Sequence, residues 1–246
     1  MSTSSTQKLA DATGIDTAAV EHGSTIKAVY VYEAPVRLWH WVNALAITVL
    51  AVTGYFIGSP LPTMPGEASA HYLMGYIRFA HFAAGYIFAA FFAWRIIWAF
   101  FGNEYSREIF LVPLKMLTVE YWKGFIDQVL YYAFLKKDVR PWMGHNPLAM
   151  SAMGFMYAVG TIFMIVTGFA LYGEGLGMNS WAFKAFSSWV LPLLGYSQNV
   201  HTLHHLCMWY LIVFTIAHLY MVIREDICTN ETVISTMING WRVSKR

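Results

Sequence analysis

The chain has 246 residues, of which 57% are hydrophobic, 17% aromatic and only 12% charged, and its mean hydropathy is +0.46. A soluble domain carries about twice that share of charged residues, so the composition excludes an ordinary soluble enzyme and indicates an integral membrane protein. The net charge of +2 is uninformative by itself, and no nucleic-acid partner is expected. Two cysteines without a C-x-x-C pair argue against thiolate metal sites, disulfide frameworks and covalent haem attachment.

The first 30 residues are small and polar, and they lack the basic-then-apolar order of a secretory signal. Residues 1–30 are therefore predicted to form a flexible tail. Four apolar runs follow, and each is near the roughly 20 residues that span hydrocarbon. They predict an all-α, four-helix membrane bundle with spans at about 38–57, 75–101, 149–172 and 203–223, followed by a C-terminal segment, 227–246.

Two of the connections between these spans contain aromatic and charged residues in amphipathic order. They read EIFLVPLKMLTVEYWKGFIDQVLYYAFLKK, before the third span, and SWAFKAFSSWV, before the fourth. Such segments are typical of helices that lie along a membrane surface rather than across it. We therefore predict amphipathic interfacial segments in these two loops, in contact with membrane lipids.

Lysine and arginine positions predict the orientation, because cytoplasmic loops carry an excess of both residues. They concentrate in the N-terminal tail, the middle loop and the C-terminus: Lys8, Lys27, Arg37, Arg107, Lys115, Lys123, Lys136, Lys137, Arg140, Arg224, Arg242, Lys245 and Arg246. The other two loops hold little beyond Arg78 and Lys184. Both termini and the middle loop are therefore predicted to be cytoplasmic.

Four histidines within the spans fall into two layers when they are sorted by depth. His40 and His218 lie toward the cytoplasmic side, whereas His81 and His204 lie toward the outer side. A polar side chain inside a membrane is costly and usually has a function. Two histidines at each of two depths are the pattern that two bis-histidine haems require.

The spacing in the fourth span supports this interpretation. His204 and His218 are 14 residues apart, which is about 21 Å of helix rise and misses a whole number of turns by only about 40°. Both rings therefore share one face, whereas His205 lies about 100° off it. A single membrane histidine is equally well explained by a hydrogen bond to a neighbouring helix, but four at two matched depths are not.

Haem propionates need cations, and three arginines lie at matching depths: Arg37, Arg78 and Arg224. Arg78 and Arg224 are equally well explained as interface anchors. Small residues that admit a flat macrocycle between helices also occur within the spans.

Several stretches closely resemble the b-type cytochrome subunit of membrane-bound uptake NiFe hydrogenases. They include RLWHWVNALAITVLAVTGYFIGSPLP, MGYIRFAHFAAG, NEYSRE, GHNPLA, TGFALY and HTLHHLCMWYLIVFTIAHLYMVIREDI with TVISTMINGWR. The likeness runs from about residue 31 to the C-terminus. More distantly, the four-helix plan is similar to the cytochrome subunit of membrane formate dehydrogenases.

This resemblance implies a dihaem cytochrome b domain over residues 31–226, with haem b held by the pairs His40/His218 and His81/His204. It also implies a role as the electron-transfer subunit of a hydrogen:quinone oxidoreductase in the bacterial cytoplasmic (inner) membrane. The large subunit of a periplasmic NiFe hydrogenase would oxidise hydrogen, its iron–sulfur small subunit would pass the electrons to this chain, and the respiratory quinone pool would receive them.

His145 and Asn146, in MGHNPLAM, begin the third span at its cytoplasmic edge. One interpretation is a capped helix entry, with Asn146 as N-cap and Pro147 at the first helical position. The other is a quinone site in which both side chains hydrogen-bond the quinone. His71 and His201 have no assigned role.

Two other classes of function stay open. One is a cytochrome b subunit of another respiratory dehydrogenase, such as formate dehydrogenase. The other is a transporter or non-haem metal protein, although a transporter should show inverted repeats or interrupted helices, and neither is evident in the sequence.

Overall fold

The structure, a computed structural model, describes residues 26–62, 71–137, 142, 144–229 and 231–245. Within them, four helices are long and apolar enough to cross a membrane: α1 (Ala34–Gly58), α2 (Leu73–Phe101), α5 (Pro147–Leu176) and α7 (Ser197–Thr229). They confirm the four predicted spans. Most of them begin and end beyond the predicted limits, because hydropathy marks only the hydrocarbon-facing part while the helical hydrogen bonds continue into the polar interface.

The connection between α2 and α5 forms two short helices, α3 (Val112–Lys115) and α4 (Val119–Tyr132). Helix α4 buries Tyr121 and Gln128 and exposes Trp122, and its location along the membrane surface stays a prediction. The Tyr121 hydroxyl donates to the Pro147 carbonyl over 3.1 Å, which fixes α4 against the start of the third span.

The connection between α5 and α7 also forms a helix, α6 (Phe183–Leu194), whose first turns are wide π-type turns. Its Ser187 hydroxyl donates to the Ala170 carbonyl of α5 over 2.6 Å. Val190 of α6 packs with Ala170 and with Val200 of α7 in one buried cluster. Helix α6 is therefore anchored to the ends of the third and fourth spans.

One element was not predicted. Strand β1 (Ile26–Tyr30) pairs antiparallel with strand β2 (Trp241–Lys245), which follows α8 (Val233–Asn239). The prediction of a flexible tail through residue 30 is thus wrong for residues 26–30, and residues 1–25 lie outside the described part. The Tyr30 and Trp241 rings are 5.2 Å apart, a cross-strand aromatic pair of the kind that stabilises such ribbons.

Gly240 makes the turn from α8 into β2. Its φ of +90° is disfavoured for any residue with a Cβ, and its carbonyl accepts hydrogen bonds from the backbone N–H groups of Val31 and Tyr32. The ribbon therefore places the segments before α1 and after α7 at the same end of the bundle, as an even number of spans requires. We call this the ribbon end, and the other the far end.

Candidate functional site

The histidines of the spans occupy two levels of the bundle. His40 is the seventh residue of α1, which starts at the ribbon end. His81 and His204 are the ninth and eighth residues of α2 and α7, which both start at the far end. His218 lies 14 residues further along α7. We call His40 and His218 the ribbon-end layer, and His81 and His204 the far layer.

The structure brings the two rings of the ribbon-end layer together. The centroids of His40 and His218 are 6.5 Å apart. A transition metal that binds an imidazole nitrogen at about 2 Å on each side holds two ring centres about 6 Å apart. The pair is therefore spaced for two imidazoles that share one metal ion. His40 Nδ1 is buried and has no hydrogen-bond partner among the described residues, and Phe214 stacks on the His218 ring at 6.2 Å.

In the far layer, each histidine contacts a threonine of a neighbouring helix. His81 Nδ1 is 2.9 Å from Thr53 Oγ1, and His204 Nδ1 is 2.7 Å from Thr167 Oγ1. Each threonine hydroxyl also donates to the carbonyl four residues earlier in its own helix. Its oxygen is then left to accept from Nδ1–H, which fixes the tautomer in which Nε2 is unprotonated. That is the nitrogen, and the form of imidazole, that binds a metal.

Two glycines leave space beside these rings. A Cβ on Gly54 would lie 3.3 Å from His81 Cε1, and a Cβ on Gly168 would lie 3.3 Å from His204 Cε1. The same Cβ position on Gly54 is also 3.3 Å from the sulfur of Met208, which lies one helical turn after His204 on α7. His81 and His204 therefore lie at the same level of the bundle.

The remaining histidines of the far end point elsewhere. A Cβ on Gly58 would lie 2.7 Å from His205 Cε1, so the His205 ring packs against the end of α1. His201 and His71 are exposed. The structure thus separates His204 from His205, as the helical spacing predicts.

The three arginines predicted to lie near haem propionates have different surroundings. Arg37 donates from Nη1 to the Ile238 carbonyl of α8. The guanidinium of Arg224 lies 4.8 Å from the Tyr131 ring centroid and also stacks on two further aromatic rings of the α4 region. Arg78 is exposed on α2. Arg37 and Arg224 lie at the ribbon end, and Arg78 at the far end.

A fourth arginine, Arg95 of α2, was not predicted from the sequence and is only 3% exposed. Its guanidinium lies between the rings of Trp39, at 5.3 Å, and Phe110, at 5.2 Å. Nε and Nη1 are buried and have no hydrogen-bond partner among the described residues. The signal that could have found it is its spacing of 14 residues from His81.

His145 lies in a second polar cluster at the ribbon end. Its Nδ1 is 3.1 Å from Glu108 Oε2 and 3.2 Å from the Tyr32 hydroxyl, and its backbone N–H donates to the same carboxylate over 3.0 Å. A Cβ on Gly144 would lie 2.3 Å from Glu108 Oε1, so only glycine admits the carboxylate here. Because a carboxylate only accepts hydrogen bonds, this contact holds the proton on Nδ1 and leaves Nε2 free.

Asn146 caps α5 as predicted, since its side-chain oxygen accepts from the Ala149 N–H over 2.8 Å. Its amide nitrogen donates to the Tyr132 hydroxyl over 3.2 Å. Burial, with Glu225 nearby, raises the pKa of Tyr132 to about 12. Burial likewise raises the pKa of Tyr32 above its ordinary value, although Arg242 acts in the opposite direction. Both phenols therefore stay protonated at neutral pH.

The model of one protein family, described as prokaryotic cytochrome b561, matches residues 31–240. The chain belongs to this family. The membrane helices and the family together identify a multi-pass protein of the bacterial inner membrane, and a b-type cytochrome implies haem b as its cofactor.

Curated relatives cover most of the chain. "Probable Ni/Fe-hydrogenase B-type cytochrome subunit" of Cupriavidus necator is 58% identical over 238 residues, which are 97% of this chain and 96% of the relative. The protein of the same name from Azotobacter vinelandii is 60% identical over 218 residues, 89% and 90% of the two chains. "Probable Ni/Fe-hydrogenase 1 B-type cytochrome subunit" of Escherichia coli K12 is 47% identical over 220 residues, 88% and 91% of the two. The resemblance drawn from the sequence is confirmed.

The residues present fit haem b. The two layers offer paired imidazoles, and in the far layer Nε2 is the free nitrogen of each ring. Glycine stands where a Cβ would crowd the rings of that layer. Near the ribbon-end layer, Arg95 has two guanidinium nitrogens that no described residue hydrogen-bonds.

Proposed function

We propose that the chain binds two haem b groups, one in each layer. His40 and His218 would ligate the iron of the ribbon-end haem, and His81 and His204 that of the far haem. The observation that carries this proposal is the 6.5 Å separation of the His40 and His218 rings. The paired threonine contacts of His81 and His204 support the second site.

When bound, two haems would supply one-electron carriers at two levels of the bundle. His204 and His218, the proposed ligands on α7, are about 21 Å apart along the helix, and each iron would be held by a pair of imidazoles, which suits electron transfer. The threonine hydroxyls hold two of these imidazoles in orientation and raise their basicity. Glycines and apolar side chains of the bundle provide the dry pocket.

The proposed orientation places the ribbon end in the cytoplasm. The segment between α2 and α5 and the segments that flank the bundle at this end hold most of the chain's lysines and arginines, as the positive-inside rule requires. The far end then faces the periplasm.

We further propose that the chain anchors a periplasmic NiFe hydrogenase and conducts its electrons. The iron–sulfur small subunit would dock at the far end, next to His81 and His204, and the large subunit would oxidise hydrogen. The names of relatives that match nearly the full chain support this partner, and they favour it over another respiratory dehydrogenase such as formate dehydrogenase.

The acceptor is proposed to be a quinone that binds at the ribbon end beside His145. Tyr32 and Glu108 hold the His145 ring through Nδ1, so Nε2 carries no proton and can accept a hydrogen bond from a hydroxyl of the quinol, the reduced form of the quinone. His145 lies at the same end of the bundle as His40 and His218. The Asn146 amide already caps α5 and bonds Tyr132, so it contributes at most its second N–H hydrogen to a ligand.

Haem content tests the proposal directly. A pyridine haemochrome assay on the purified chain should give about two haems per polypeptide, since each layer has two imidazoles. Acid–acetone extraction should remove both, because no C-x-x-C pair is present for covalent attachment. A haem content near zero in well-folded protein would refute the proposal, and one that stays near one under all purification conditions would refute the second site.

The threonine contacts give a further prediction. Thr167→Val should raise the midpoint potential of the far haem by up to about 40 mV, because a hydrogen bond is worth about 1 kcal/mol and a tenfold change in a one-electron equilibrium is 59 mV. The variant loses the acceptor that makes His204 more basic, so the ferric state is less stabilised. Potentiometric titration followed at the haem absorption bands measures the shift.

Thr215→Val is the matched control. Thr215 donates to a backbone carbonyl of α7 in the same way, but it has no contact with a histidine among its hydrogen bonds. Its replacement should leave both potentials unchanged. An equal shift in the two variants would show that the effect comes from helix packing and not from the His204 contact.

A further inference from the structure

Arg95 repeats on α2 the spacing that His204 and His218 have on α7. It follows His81 by 14 residues, which is about 21 Å along the helix and within about 40° of the same face. Helix α2 therefore presents a ligand in the far layer and a guanidinium at the depth of the ribbon-end layer. Trp39, whose ring it covers, directly precedes His40.

The surroundings of Arg95 are mostly apolar. Two aromatic rings lie about equally near its guanidinium, and the side chain is 3% exposed. Tyr32, Tyr157 and Glu108 are titratable groups that lie near it. The carboxylate of Glu108 is engaged by His145 through both the ring and the backbone N–H. Nε and Nη1 of Arg95 remain without a hydrogen-bond partner in the part of the chain that the structure describes.

A buried guanidinium with unsatisfied N–H groups is costly unless an anion pairs with it. The planar fork of arginine matches a carboxylate with two parallel hydrogen bonds. Haem b carries two propionate carboxylates, and no other part of the macrocycle is charged at its edge. The unpartnered nitrogens of Arg95 therefore have the chemistry that a propionate at this depth requires.

We propose that Arg95 binds a propionate of the ribbon-end haem and so anchors that haem in the bundle. This inference rests on the proposed pair of haems. It gives helix α2, which holds neither proposed iron ligand of the ribbon-end haem, a role in binding that haem.

The test is redox titration and haem retention in the Arg95→Gln variant, in the detergent-purified full chain. The ribbon-end haem is first assigned as the one that His218→Ala removes. Loss of the guanidinium leaves a propionate charge uncompensated, which stabilises the ferric state. The reduction equilibrium constant of the ribbon-end haem should fall about tenfold, or 59 mV, and its dissociation should become faster. The far haem should not change.

Two further variants serve as comparisons. Arg95→Lys keeps the charge and should restore most of the potential, although not the two-point hydrogen bonding. Arg107→Gln removes the same charge from an exposed site at the same end, where the side chain bonds the Gly102 carbonyl, and should leave both haems unchanged. A ribbon-end haem with normal potential and retention in Arg95→Gln would overturn the proposal, and so would a shift confined to the far haem.

If Arg95→Gln does not accumulate, the wild-type chain still provides a test. Reconstitution of the haem-free protein with haem dimethyl ester, which has no propionate charge, should fill the ribbon-end site at least tenfold more weakly than haem b. Equal filling of that site would overturn the proposal. If the wild-type chain holds fewer than two haems, or His218→Ala changes no haem band, the two-haem proposal itself fails, and this result is distinct from an unchanged Arg95→Gln variant.

Discussion

His204→Ala is expected to remove the far haem and to halve the haem content of the purified chain. The remaining imidazole of that layer, His81, cannot by itself hold iron in the six-coordinate, low-spin state. The ribbon-end haem should keep its spectrum, since its ligand on the same helix, His218, lies about 21 Å away along α7. A pyridine haemochrome assay and a redox titration together measure the loss and show which haem remains.

His205→Ala is a closely matched control, because it removes the same side chain one residue later. The His205 ring packs against Gly58, and the residue lies about 100° from the ligand face. Both haems should stay in this variant. His218→Ala should give the reverse of His204→Ala, with the ribbon-end haem lost and the far haem kept. If His205→Ala removed a haem and His204→Ala did not, the assignment of the far-layer ligand in α7 would be wrong by one residue.

His145→Ala is expected to leave both haems in place but to slow their reoxidation by quinone at least tenfold. The variant loses the Nε2 atom that we propose accepts a hydrogen bond from the quinol hydroxyl, so the reduced product is less stabilised, whereas the capping bond of Asn146 stays. Stopped-flow measurement of the haem bands, after reduction by hydrogen in the complete complex, separates the two steps. Reduction should remain fast, and only the quinone-dependent phase should slow.

The His205→Ala protein provides the control for this experiment as well. Unchanged quinone reduction in His145→Ala would leave His145 with a structural role, that of fixing the loop before α5 through Glu108 and Tyr32. The location of the quinone site has a separate test. Turnover of the complex in proteoliposomes should generate a membrane potential, since protons are taken up at the ribbon end and released at the far end. Turnover without a potential would place the quinone at the far end.

The sequence predicted what depends on local pattern. The spans follow from hydropathy, and the two histidine levels follow from residue spacing in helices of known rise. The Asn146 cap follows from a local motif. Each of these needs only residues that are close together in the chain.

What the sequence did not predict depends on neighbours that are distant in the chain. The ribbon pairs Tyr30 with Trp241, and neither segment by itself indicates its partner. The contact of Glu108 with His145 needs the glycine at 144, which is informative only once the carboxylate is seen beside it. Arg95 was overlooked because its burial comes from the rings of Trp39 and Phe110 on other segments.

The pairing of β1 with β2 also sets an order of events during synthesis of the protein. Residues 26–30 leave the ribosome before any membrane helix, whereas residues 241–245 leave it after all four. The ribbon therefore cannot close before residues 241–245 have been synthesised, and α1 must insert while its N-terminal strand is still unpaired. The ribbon end stays open until these residues follow the last membrane helix out of the ribosome.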